Sequence, residues 1–182
     1  MAYTVFESVN MKSTRGAEFI LDAVAATDIE NGTFGYLNGL ADNETNTYNF
    51  VKGTAAGKQV VVADNPAWDE DTCRKTNQRK DKYIIPAGTR FRVRVVAKGD
   101  VFGITIDGVT SGENGTQDKM KKGAYVTIDA SGKLVAKAAT TASAIMEAVV
   151  ERVRPVGGTL VTAAHTYGHK YDMYECKVNV LA

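Results

Sequence analysis

The chain is poor in the residues that carry most enzyme chemistry: two cysteines, two histidines and one tryptophan in 182 residues, with only three prolines. Cys73 and Cys176 are too few for the disulfide framework of a small secreted domain, and a reducing compartment keeps them as thiols. With only His165 and His169 available as bases, a serine or cysteine nucleophile has few partners, and no serine stands in a nucleophile-elbow sequence. No apolar run approaches the roughly 18 residues of a membrane-crossing helix. The first twenty residues, MAYTVFESVNMKSTRGAEFI, lack the apolar centre of a signal peptide, so the expectation is a protein that stays soluble inside the cell, without a membrane partner. A net charge of +1 removes any global attraction to nucleic acid, and a basic footprint would have to be local.

What the chain does contain is glycine (17) and short apolar runs separated by Gly, Asn, Asp and Thr, the punctuation of strands and turns. The expected fold is mainly β: a compact β-barrel or β-sandwich-like domain with an extended N-terminal arm and long polar loops. In TRFRVRVVA, Phe91, Val93 and Val95 alternate with Arg90, Arg92 and Arg94, which predicts one core face and one guanidinium face. KGD then turns toward VFGITIDGV, and a hairpin is expected over 89–109. A second hairpin is expected where AYVTI and KLVAKA flank Asp-Ala-Ser-Gly, with Gly132 free to take positive φ. Near the C-terminus Tyr174, Cys176, Val178 and Val180 alternate with polar residues, which points Cys176 into the core. Residues 143–155 fit a helix by spacing and a strand by β-branched content, and the strand is favoured.

Residues 1–57 have short apolar runs between loops and are expected to form an arm packing on the C-terminal domain or on a neighbour, with 58–182 as the β-domain. KQVVVAD (58–64) and KYIIPAG (82–88) bracket a polar loop over 65–81, long enough to expect a functional role.

No segment offers a convincing catalytic, cofactor or metal site. GTAAGKQ (53–59) is one residue short of a phosphate-binding loop and has Gln59 where a magnesium-binding hydroxyl is needed. GVTSGENG (108–115) lacks the dinucleotide fingerprint and reads as a flexible loop. His165 and His169, with Asp172 nearby, would need a defined third ligand and a second shell, and the glycine between them marks a turn. Asp69, Glu70 and Asp71 have no apolar surroundings to shift a pKa. In AWDEDTCRKTNQRKDKY (67–83) the aromatics Trp68 and Tyr83 sit only at the ends of an acid-then-base run. Nucleic-acid binding asks for aromatics interleaved with cations, whereas one tryptophan among arginines suits a protein contact.

The series DIENGTFGYLNG (28–39), IIPAGTRFRVRVVAKGDVFGIT (84–105), KKGAYVTIDASGKLVAKA (121–138) and YDMYECKVNVLA (171–182) resembles capsid decoration, or cement, proteins of tailed bacteriophages. Their hairpin pattern is matched here by Gly123, Val126, Asp129, Gly132 and Leu134. The resemblance implies a non-enzymatic protein of the virion exterior, assembled in the bacterial cytoplasm. It would bind the major capsid protein, stabilise the mature lattice by mass action, form a homotrimer, and need no cofactor, metal or direct nucleic-acid contact. It transfers no functional residues. The capsid-contact candidates come from the residues themselves: Tyr3, Phe6, Phe19 and Ile20 of the arm, with Trp68, Arg74, Lys75 and Arg79 of the loop. For the arm residues, packing onto the chain's own β-domain is the competing expectation. Two other roles remain open: a different virion component (head-fibre base, head completion or tail protein), or a β-barrel that binds nucleic acid through Arg90, Arg92 and Arg94 together with the basic loop.

Overall fold

A computed structural model describes residues 3–67, 80–111, 117–161 and 166–182, with strand residues 158–161 and 166–170 described by their backbone. The short alternating runs form strands β1 (Phe6–Asn10), β2 (Ile20–Val24), β3 (Phe34–Leu40), β4 (Thr47–Lys52), β5 (Val60–Ala63), β6 (Arg90–Val95), β7 (Val101–Thr105), β8 (Tyr125–Ile128), β9 (Leu134–Lys137), β10 (Met146–Val161) and β11 (Thr166–Leu181). The mainly β fold is as expected. Strands β2-β4-β3-β5-β6 close into a barrel, and β1-β7-β11-β10-β8-β9 form an antiparallel six-stranded sheet.

Two apolar cores follow from this division. Ala23, Phe50, Val61, Phe91, Val93 and Val95 fill the barrel, where the Phe50 and Phe91 rings meet edge-on at 5.5 Å. Phe6, Phe34, Val60, Val62, Phe102, Ile104, Val126, Leu134, Val150 and Cys176 form the larger core between barrel and sheet. Strand β5 serves both: Val60 and Val62 face one, Val61 and Ala63 the other, and all four are at most 2% exposed. Burial on both faces explains why VVVA reads as an unbroken apolar run instead of an alternation. Phe102 sits between Phe34 (5.3 Å) and Phe6 (5.9 Å), tying β7 of the sheet to β3 of the barrel and to β1.

The expected hairpin over 123–138 forms as β8 and β9, closed by an Asp129–Gly132 turn. Asp129 accepts from the backbone N–H of Ser131 (2.8 Å) and Lys133 (2.9 Å) and from the Ser131 hydroxyl (2.7 Å). Gly132 has φ +80°, and its carbonyl accepts from Phe34 N–H at 2.8 Å, so this turn is a joint between sheet and barrel. The segment 143–155 resolves in favour of strand: from Met146 onward it is the first part of β10.

The expected hairpin over 89–109 does not form. Strand β6 pairs with β2 and β5 in the barrel, while β7 pairs with β1 and β11 in the sheet. The KGD turn is a corner between the two, because its hydrogen-bonding groups are already engaged elsewhere. Asp100 accepts from Ala97 N–H (2.8 Å) and Lys12 N–H (2.9 Å), and the Gly99 and Asp100 backbones bond Val178 of β11. The segment 1–57, expected as an arm, is instead woven into both units, supplying β1 to the sheet and β2–β4 to the barrel. Phe34 (0% exposed) and Phe50 (6%) are core side chains, which an appendage could not spare. Within 82–88 only Ile85 pairs, in a single bridge to Ile29, so a strand is not formed there.

Candidate functional site

The feature that most distinguishes the molecule is its last hairpin. Strands β10 and β11 are 16 residues each and pair from Met146↔Leu181 to Val161↔Thr166. Their third strands stop early: β8 pairs with β10 only over Glu147–Val149, and β7 with β11 only over Met173–Lys177. From Pro155↔Asp172 outward the two strands therefore pair only with each other among the described residues. Six further steps at about 3.3 Å per residue carry this ribbon roughly 20 Å. An isolated two-stranded ribbon is marginal in water, and its open edges present unpaired backbone groups. Pro155, which cannot donate to a ladder, sits where no third strand pairs with β10 among the described residues, which is where a proline is tolerated.

A charge network fixes the ribbon at its root. On the sheet face turned away from the core, Arg152 donates to Glu175 through Nε (2.9 Å) and Nη2 (2.7 Å), and Arg154 Nε donates to the same carboxylate at 2.5 Å. Arg154 Nη2 also reaches Glu7 on β1 at 2.6 Å, and Lys80 lies 3.7 Å from Glu7. Gly103 of β7 is in register between Glu7 and Glu175. A Cβ there would lie 2.9 Å from Met173 Cγ and Sδ, so a side chain at this position would have to displace that buried methionine beneath the network. The Arg152 hydrogen bond holds the Glu175 carboxyl below the usual carboxylate range, against the opposing effect of burial and with further help from Arg154. The network thus joins β10, β11 and β1, three strands that are not all neighbours.

The guanidinium face expected on β6 is spent within the chain. Arg90 pairs with Glu44, and Arg94, 8% exposed, pairs with Asp64 and donates to the Ser13 carbonyl at 3.1 Å. Arg92 donates to the Asp64 carbonyl at 2.9 Å and lies 3.5 Å from its carboxylate. Alternation in the sequence placed these arginines on one face. It could not reveal their carboxylate-bearing partners, which lie 28 to 46 residues away.

The sequence-derived contact candidates are not brought together. Phe6 is 5% exposed and stacks on Phe102 inside the main core. Phe19 is half-buried against the barrel core, and Ile20, also half-buried, pairs with Arg94 in the barrel wall. Tyr3 is half-buried, donates its N–H to the Asp81 carbonyl at 2.8 Å, and lines a polar cleft of about 390 Å³ with Glu30, Asp107 and Lys133. Trp68, Arg74, Lys75 and Arg79 lie outside the described residues, as do Cys73, His165 and the acids 69–71. Both ends of that segment are nevertheless fixed. Asn65 donates to the Tyr83 hydroxyl at 2.6 Å, and its backbone N–H and C=O are both bonded by the Asn31 amide at 2.8 Å.

Cys176 is fully buried, and burial followed by the nearby Glu175 charge pushes its thiol far up, which suits a core residue and not a nucleophile. GTAAGKQ connects β4 to β5, with Gly53 and Gly57 at positive φ, and opens no helix. Among the described residues no three His, Cys, Asp or Glu side chains converge as a metal site, and no helix is long and apolar enough to cross a membrane. Comparison with protein families, curated proteins and solved structures gives no match to this chain.

Proposed function

We propose that this chain is a non-enzymatic virion structural protein that binds the outside of a tailed-phage head and stabilises the major capsid lattice. The observation that carries the reading is the β10–β11 ribbon: a strand pair that, beyond Pro155↔Asp172, pairs only with itself among the described residues, and that is held at its root by Arg152, Arg154, Glu175 and Glu7. Such an element suits a contact with a neighbouring protein by strand addition, which uses main-chain hydrogen bonds for affinity. A protein that binds only the assembled lattice stabilises it by mass action, and a homotrimer would multiply each contact through avidity. Direct contact with DNA forms no part of the reading, because Arg90, Arg92 and Arg94 are matched with Glu44 and Asp64.

The test is mass-spectrometric quantification of this chain in purified particles from its source, relative to the most abundant virion protein. A ratio near one, or a simple fraction such as one third, supports lattice decoration. About a dozen copies or fewer would assign it to a vertex, neck or tail, and absence from the particle would overturn the virion reading.

A further inference from the structure

Where the chain leaves β1 and where it turns from β6 to β7, three cations converge on one cleft of about 190 Å³, lined by Asn10, Met11, Lys12, Arg15, Lys98 and Asp100. The convergence is built by Asp100. Its carboxylate is 2% exposed and spends its two oxygens on the backbone N–H groups of Lys12 (2.9 Å) and Ala97 (2.8 Å), locking the two segments together. Lys12, Arg15 and Lys98 are all exposed. The Arg15 guanidinium donates to the Asn10 amide oxygen at 3.1 Å, and none of the three cations pairs with a carboxylate among the described residues. This contrasts with Arg90, Arg92, Arg94, Arg152 and Arg154, each of which has a carboxylate partner. Three cations around one carboxylate leave the cleft with an excess of two positive charges.

We propose that this cleft is a docking point for an acidic segment of a partner protein. Resting on the decoration reading, that partner is a carboxylate-bearing stretch of the shell protein. Charge complementarity identifies the occupant. The donors are three separate side-chain cations, which suit several carboxylates on a chain. The strand leading into the cleft carries Val9, 43% exposed, next to its last residue Asn10, so an apolar contact adjoins the charged one as in protein interfaces. A nucleic acid would need cations continuing along a track, and the arginines of β6 that could extend one are neutralised.

The experiment uses the full chain and a variant, K12Q/R15Q/K98Q, whose thermal midpoint should stay close to the parent's because all three side chains are exposed, none has a carboxylate partner among the described residues, and the one bond lost, from Arg15 to Asn10, is itself exposed. A fluorescein-labelled deca-glutamate peptide is titrated at low salt, with amide shifts mapped by NMR, and a 20-base-pair DNA duplex is titrated in parallel. The expected result is peptide binding with shifts centred on Lys12, Arg15, Lys98 and Gly99. In the variant binding should weaken about tenfold, as three exposed ion pairs each worth a factor of roughly two would give. Absence of binding, shifts centred elsewhere, an unchanged variant, or tighter binding of the duplex than of the peptide would each overturn the proposal. Co-sedimentation with expanded heads lacking the chain separates this result from the functional reading. If the parent decorates heads and the variant equally well, the cleft is refuted as the head contact. If neither decorates while the peptide binds the parent as expected, the acidic-segment site stands and the decoration reading fails.

Discussion

Gly132→Ala should destabilise the protein by about 2–4 kcal/mol, and the size of the loss measures how tightly sheet and barrel are joined. Gly132 has φ +80°, a region in which a non-glycine residue costs about 1–2 kcal/mol. The added methyl would also stand 2.3 Å from the Phe34 carbonyl oxygen and 2.8 Å from Thr33 Cγ2. The first of these is backbone and cannot rotate away, so the turn must withdraw from β3 and lengthen the hydrogen bond from Phe34 N–H to Gly132 O. Losing a buried hydrogen bond of this kind costs about 1–2 kcal/mol more. In a protein of this length each kcal/mol lowers the melting temperature by about 2–4 °C, so a fall of roughly 5–15 °C is expected in thermal unfolding followed by circular dichroism. Gly57→Ala is the control. Gly57 has a similar φ of +70°, yet a Cβ there meets nothing within 4 Å, so it isolates the backbone cost. Equal losses in the two variants would refute the claim that the 129–132 turn is a packed joint.

Three further outcomes follow from the geometry. Phe102→Ala removes the ring between Phe6 and Phe34 and should cost about 3–5 kcal/mol in urea unfolding, with a loss under 1 kcal/mol counting against a shared aromatic centre. Because the folded Glu175 carboxyl lies below its ordinary range, its contribution to stability is present above the unfolded carboxylate pKa and is lost as pH falls through the folded value; Glu175→Gln should therefore flatten the acid limb of the stability curve, and a superimposable limb would show that the Arg152–Glu175–Arg154 cluster adds nothing. Cys176, fully buried with its thiol pushed up, should resist alkylation by iodoacetamide at pH 8 until the protein unfolds, and rapid native labelling assigned to Cys176 by peptide mapping would contradict its place in the core.

The sequence by itself determined the class of fold. Period-two alternation in β6 and β11, the Asp129–Gly132 turn and the scarcity of helix signals all act over a few residues, and local chemistry is sufficient to specify them. It also determined the inward direction of Cys176. Apart from the β8–β9 hairpin, which strands pair was decided by the tertiary structure. Phe91, Val93 and Val95 face one core while Phe102 and Ile104 face another, so adjacent strands that looked like a hairpin separate at the KGD corner. Nothing local distinguishes the two cores. The N-terminal runs read as an arm because each is too short to close a core alone, yet β1 to β4 complete cores begun by strands far along the chain. The length of the last hairpin was masked by two register shifts in β10, which break its alternation after Glu147 and Val150. Charge was the least legible of all. The arginines of β6 and β10 are evident in the sequence, but whether a guanidinium is free depends on carboxylates such as Asp64, Glu175 and Glu7, brought close only by folding. The same holds for Lys12, Arg15 and Lys98, which share a cleft because one buried aspartate holds two distant backbone segments together, a long-range contact that no local pattern encodes.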